Sequence, residues 1–95
     1  MTEVVVMSSS SVQIGTQTVS PQVQDQGNKL YLEFQVQITS YLGNPMSETI
    51  TVKLLCDKYK TVVTSPFQPP QQVEKTPQEC VDEFVERHKG VYTFA

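Results

Sequence analysis

Nine residues of unbroken alternation constrain this chain more than any other feature of it. From Leu30 to Ile38 the apolar residues Leu30, Leu32, Phe34, Val36 and Ile38 take every second position. Tyr31, Glu33, Gln35 and Gln37 fill the places between, and Thr39 continues the polar set. A period of two sends successive side chains to opposite faces of a strand. One face then meets a core and the other meets water, as an antiparallel sheet allows. A one-residue slip would reverse both faces, so the pattern predicts Leu32, Phe34 and Val36 buried and Glu33, Gln35 and Gln37 exposed.

The neighbouring segments extend this strand into a sheet. Leu42-Gly43-Asn44-Pro45 turns the chain. A second amphipathic strand follows, with Ile50, Val52, Leu54 and Cys56 inward and Thr49, Thr51 and Lys53 outward. Asp57-Lys58 turns again, and Tyr59 to Thr64 is expected as a further strand around Val62-Val63. Sequential strands with short turns are expected to pair as an antiparallel meander. Towards the N-terminus, the β-branched run Val4-Val5-Val6 is interrupted by Ser8 to Ser11, and Val12, Ile14, Thr16 and Thr18 alternate after it. The simplest arrangement is a hairpin with Gly15 as a bulge. Ser20 to Asn28 is polar, and its Asp25-Gln26-Gly27-Asn28 stretch is a turn signal.

Ser65 to Lys75 shows no period, and Pro66, Pro69 and Pro70 oppose regular pairing. The pattern then changes to that of a helix. Thr76-Pro77-Gln78-Glu79 is a capping box with proline at the first helical position. At about 100° per residue, Cys80, Val81, Phe84, Val85 and His88 fill an arc of about 140°. Gly90 is the expected residue after the helix end. The spacing predicts a helix over Pro77–Lys89 and a short extended tail after it. The fold class expected is α+β: an antiparallel β-sheet of four to six strands, a meander free to curl into a half-barrel or sandwich, with one C-terminal amphipathic helix packed on one face. The chain reads as a single domain over 1–95, with a β-rich part at 1–64, a Pro-rich connection at 65–75, the helix region at 76–90 and a tail at 91–95.

Charge and composition exclude more than they suggest. With a net charge of −3 and a pI near 4.9 the chain lacks the basic stripe of a nucleic-acid binder, so no nucleic-acid partner is expected. No apolar run approaches the ~18 residues of a membrane span. The opening Met1-Thr2-Glu3-Val4 has neither the basic region nor the apolar stretch of a signal peptide, and a cytoplasmic location is expected. Eleven glutamines are spread along the chain rather than gathered in a tract, and Gln35 and Gln37 read as solvent-facing strand positions. The two cysteines, Cys56 and Cys80, are too few for a disulfide scaffold. Both face the expected core, one from a strand and one from the helix. Free buried thiols are the expectation, with a disulfide as the alternative if the geometry allows it.

No motif supports catalysis. Cys80 and His88 lie two helical turns apart, about 12 Å along the axis, too far for a thiolate–imidazole hydrogen bond. There is no Cys-x-x-Cys and no second histidine for zinc, and the acids sit on a helix rather than in a calcium loop. The four glycines are scattered, and the serine run has no nucleophile elbow. No catalytic, cofactor-binding or metal-binding residue is assigned, and no cofactor is expected.

The candidate residues are instead ones that contact a partner. Pro66-Phe67-Gln68-Pro69 matches P-x-x-P but has no basic residue before Lys75, so it reads first as a stiff crossover. Its length in so small a domain also marks it as a contact segment. Glu79, Asp82, Glu83 and Glu86 form an acidic helix face. Lys53, Lys58 and Lys60 form a small basic patch around a strand turn. The two patches are either ordinary solvated and edge-guarding charges or complementary surfaces that steer a second copy. The expected function is a small non-enzymatic protein–protein interaction or assembly module. Self-association is expected because one short helix cannot cover the whole apolar strand face. The alternative is a small-ligand-binding protein or minor enzyme with a pocket between helix and sheet near Cys80, His88 and Tyr92.

Overall fold

A computed structural model describes residues 11–95 of the chain. The Val4-Val5-Val6 run and the serines before Ser11 lie outside the described residues. In chain order the elements are β1 (Val12–Ile14), β2 (Gln17–Val19), β3 (Gln22–Asp25), β4 (Lys29–Tyr41), β5 (Asn44–Asp57), β6 (Tyr59–Val62), β7 (Gln71–Glu74), α1 (Pro77–Arg87) and β8 (Tyr92–Phe94). The arrangement is α+β: antiparallel sheets with one C-terminal helix. The main sheet is open, with β3, β4 and β5 side by side and β8 also on β4.

The alternating strand is β4, the centre of the sheet. Leu30, Leu32, Phe34, Val36 and Ile38 are all buried, Leu32 completely. Gln35, Gln37 and Thr39 are exposed, while Tyr31 and Glu33 are half-buried. Glu33 stands directly across from Lys53 on β5, which covers part of it. The β4–β5 turn is Leu42-Gly43, with φ of 51° and 82°. Positive φ at both central residues gives the primed turn whose twist suits a hairpin. Asn44 and Pro45 therefore belong to β5 rather than to the turn.

The region before β4 holds a strand that the sequence hides. β3 has one buried apolar residue, Val23, so it shows no alternation. It joins β4 through Asp25-Gln26-Gly27-Asn28. There the Gln26 N–H donates to the Lys29 carbonyl at 2.8 Å, and the Gly27 N–H to Asp25 Oδ1 at 2.9 Å. Gly15 is part of the turn between β1 and β2 rather than a bulge. Its φ is +60°, and a Cβ there would stand 2.7 Å from the Ala95 carbonyl oxygen.

Beyond β3 the same edge of β4 is covered by pieces from elsewhere. The Gln17 side chain accepts from the Gln37 N–H at 2.9 Å and donates to the Gln37 carbonyl at 2.8 Å. One amide thus imitates a strand residue. Ala95 N–H also donates to the Gln37 carbonyl, and β8 pairs with β4 from Ile38 to Tyr41.

The helix forms as its capping box requires. Thr76 Oγ1 accepts from the Glu79 N–H at 3.2 Å, and Glu79 Oε1 accepts from the Thr76 N–H at 3.1 Å. It ends at Arg87, two residues earlier than expected, because His88 takes the C-cap and Gly90 (φ 91°) turns the chain into β8. Cys80, Val81 and Phe84 are buried against the sheet. The apolar face that one helix cannot cover is also closed by the β1–β2 hairpin, through Val12 and Ile14. Gln78 pins that hairpin to the helix, accepting from the Gln13 N–H at 2.8 Å and donating to the Gln13 carbonyl at 3.0 Å.

Two further expectations are corrected. The segment after Asp57 does not extend the meander, since β6 pairs with β7 in a separate two-stranded ribbon. Lys58 N–H donates to the Asn28 carbonyl and Lys75 N–H to the Lys58 carbonyl, so the ribbon leaves the sheet past its last rung. Residues 71–74, read as unpaired, form β7; all four are exposed, so no burial period marks them. The second correction concerns the cysteines. Cys56 on β5 and Cys80 on α1 form a disulfide, with Cα atoms 5.8 Å apart. Their two inward-facing positions meet across the interface between helix and sheet, within the range a disulfide spans. The free-thiol reading rested on the assumed cytoplasm and not on the geometry.

The molecule measures 49 × 40 × 19 Å, one sheet and one helix thick. Its radius of gyration is 15.5 Å, against about 12 Å for a compact chain of this length.

Candidate interaction surface

The ribbon β6–β7 carries the proline-rich segment outward. Phe67 is 94 % exposed and Val63 65 %. The turn that presents them is fixed locally. Gln68 N–H donates to the Ser65 carbonyl at 3.2 Å and Phe67 N–H to Ser65 Oγ at 3.2 Å, while Thr64 Oγ1 donates to Gln68 Oε1 at 3.2 Å. Pro66, Pro69 and Pro70 flank the turn and are exposed. Proline fixes φ, so this turn gives up little further freedom on contact. Pro66, Phe67 and Pro69 therefore stand together at one tip, and Val63 is a fourth member that the sequence did not single out. The sequence placed Val63 within a strand running to Thr64, whereas β6 ends at Val62.

Most of the charged candidates are paired within the chain, though only Lys60 and Glu79 with each other. Lys60 pairs with Glu79 and Lys75 with Glu83. Lys58 Nζ lies 2.7 Å from Asp25 Oδ2 and 4.0 Å from Glu74, and Lys53 lies 3.8 Å from Glu33. The basic patch is thus divided between the ribbon's attachment and the sheet surface. On the acidic face, Asp82 accepts from Gln78 Nε2 at 2.9 Å, and Asp82 and Glu86 carry no ion pair among the described residues.

These pairs have a pH signature. The Lys58 ammonium, with help from the Gly27 N–H, holds Asp25 below the usual carboxylate range. Lys29 does the same for Asp57, and Lys60 with the Thr76 N–H for Glu79. Asp25 in turn raises Lys58. The carboxylate contributions are present above the ordinary value of about 4 and are lost as pH falls through the lowered values. The Lys58 contribution is present below the ordinary lysine value of about 10.4 and is lost as pH rises past the raised one. A thermal-unfolding series is expected to show a plateau between those limits and a decline on the acid side. A melting temperature unchanged from pH 6 to pH 2 would show that the pairs contribute nothing.

Around the residues considered for a ligand pocket, rings stack at the helix end, and a recess of about 180 Å³ lined by Cys56, Cys80, Glu83, Phe84 and Arg87 lies between helix and sheet. The Phe84 and His88 rings lie 4.4 Å apart, His88 and Tyr92 5.9 Å, and Tyr92 and Phe94 6.0 Å. His88 Nδ1 sits 2.9 Å from the Phe84 carbonyl, and the Cys80 sulfur is held in the disulfide. Beside this stack lies a broad recess of about 390 Å³ lined by Gly15, Val85, Glu86, Gly90, Tyr92 and Phe94. Among the described residues no three His, Cys, Asp or Glu side chains converge as a metal site would require, and no helix is long and apolar enough to cross a membrane.

Fold and surface together define an α+β chain with an open antiparallel sheet and a projecting, aromatic-tipped ribbon. No known family, curated protein or solved structure matches it.

Proposed function

We propose that the chain is a non-enzymatic interaction and assembly module, self-associating, with the ribbon tip as one of its contact surfaces. The observation that carries this reading is Phe67, 94 % exposed on a hydrogen-bonded turn. Aromatic anchors held in advance at a protruding site dominate many protein interfaces. The plate-like shape supports the same reading, since so thin a body leaves much surface for contacts.

The disulfide supports a setting outside the reducing cytoplasm, where such bonds persist. The expected cytoplasmic location has no such support.

The test replaces Phe67 by a photoreactive phenylalanine analogue and identifies the cross-linked peptide by mass spectrometry. A specific protein adduct is expected, and Phe67→Ala is expected to associate more weakly than the parent chain. Phe67→Ala should leave stability within about 0.5 kcal/mol, because it removes nothing packed. Absence of any adduct, with Phe67→Ala associating as the parent chain does, would remove the tip from the reading.

A further inference from the structure

β5 is long and has one neighbour. It runs for 14 residues along β4, and among the described residues no strand lies along its other side. The direction of its free main-chain groups follows from the ladder. The Gln37 N–H and C=O are taken by Gln17 and Ala95, on the side of β4 away from β5. Residues of β4 with the parity of Gln37 therefore turn their main chain away from β5. Their opposite numbers Thr49, Thr51 and Lys53 turn theirs to the open edge. Such an edge is a template for another strand unless charges, prolines or bulges blunt it. Here Pro45 and a register shift against β4 between Pro45 and Glu48 confine the regular edge to the part of β5 from Glu48 onward, where Lys53 is the one lysine.

We propose that this edge pairs with β5 of a second copy, antiparallel about a two-fold axis at Ile50, so that two open sheets continue as one. The proposal rests on the self-association reading and names its surface. The register argues for a second copy as the occupant. An axis at Glu48 or Lys53 would set like charges face to face, which opposes pairing. An axis at Ile50 avoids both. It sets Thr49 against the partner's Thr51, and Thr51 against the partner's Thr49, a pair type that favours cross-strand contact. It also brings Ile50, half-buried at the margin of the core, against its own copy. The result is a closed, isologous dimer rather than an open polymer.

Two variants test this by sedimentation velocity and cross-linking on the full chain. Thr51→Pro removes an outward N–H and leaves every rung of the β4–β5 ladder in place. The parent chain is expected to sediment as a dimer and Thr51→Pro at half that mass, with a melting curve that still shows one cooperative transition. Ile50→Cys is expected to give a covalent dimer under mild oxidation, with a 50–50 linked peptide. Opposed residues at a non-hydrogen-bonded position lie about 4.5 Å apart at Cα, close enough to bridge. A parent dimer that persists in Thr51→Pro, or that gives no 50–50 link in Ile50→Cys, overturns this edge while leaving self-association standing. A parent chain that is monomeric at high concentration overturns self-association and this proposal together.

Discussion

Replacing Cys56 and Cys80 together by alanine is expected to lower the unfolding free energy by about 3 kcal/mol. The bond joins residues separated by 24 positions, and a cross-link over a loop of that length removes roughly this much from the freedom of the unfolded chain. It also ties the two layers of the molecule, β5 and α1, at a point where both cysteines are buried. Small domains have only about 5–15 kcal/mol in total, so a loss of this size is a large fraction. Urea unfolding of the parent and the double variant measures it. Because the sulfurs are shielded, a reductant added to the native protein should act only as fast as the protein opens. Equal midpoints for the two proteins would show that the disulfide does not hold helix to sheet.

Phe84→Ala should weaken the fold by roughly 3–5 kcal/mol, the range for removing a buried ring from a core that cannot collapse around the gap. The Phe84 ring is 7 % exposed and stands edge-on to Phe34, with centroids 6.2 Å apart and planes at 89°. It also meets Phe94 on β8 at 6.1 Å and His88 at 4.4 Å. One side chain therefore joins the helix, the central strand and the last strand. The loss should appear in thermal unfolding as a fall of more than about 10 °C, since 1 kcal/mol shifts a domain of this size by about 4–8 °C. The two variants together should depart from additivity, because both loosen the same face of α1. A melting temperature within a degree or two of the parent would mean that Phe84 is not the keystone of this packing.

What the sequence made legible divides along burial. β4, the inward half of β5 and the helix announce themselves because one face of each meets the core, and burial imposes a period. β3 and β7 do not. β3 has only Val23 against the core, and β7 has nothing, so the partner strand alone orders them. The cysteines were correctly placed on inward faces, and their meeting required a distance that no one-dimensional pattern contains. The charged candidates were real surface groups. Whether a lysine pairs within its own chain depends on where the ribbon lies, and the ribbon was read as a strand of the sheet. Gln17 and Gln78 looked like ordinary polar residues, and their role as imitation strand residues appears only in three dimensions. The free edge of β5 was equally hidden, since an unpaired strand and a paired one share one alternation.

The patchwork along the far edge of β4 sets an order of assembly. β3 and β5 reach β4 through tight turns, so they can zip onto it while the chain is still largely unformed. The far end must wait. Ser40 meets Thr93, 53 residues away, and the Gln17 amide can dock only once its own hairpin has formed. Until those late pieces arrive, the middle and far end of the most apolar strand in the molecule are open along one side. Closure of that side is therefore expected late in folding, and a chain delayed before it is expected to present its most adhesive segment to its neighbours.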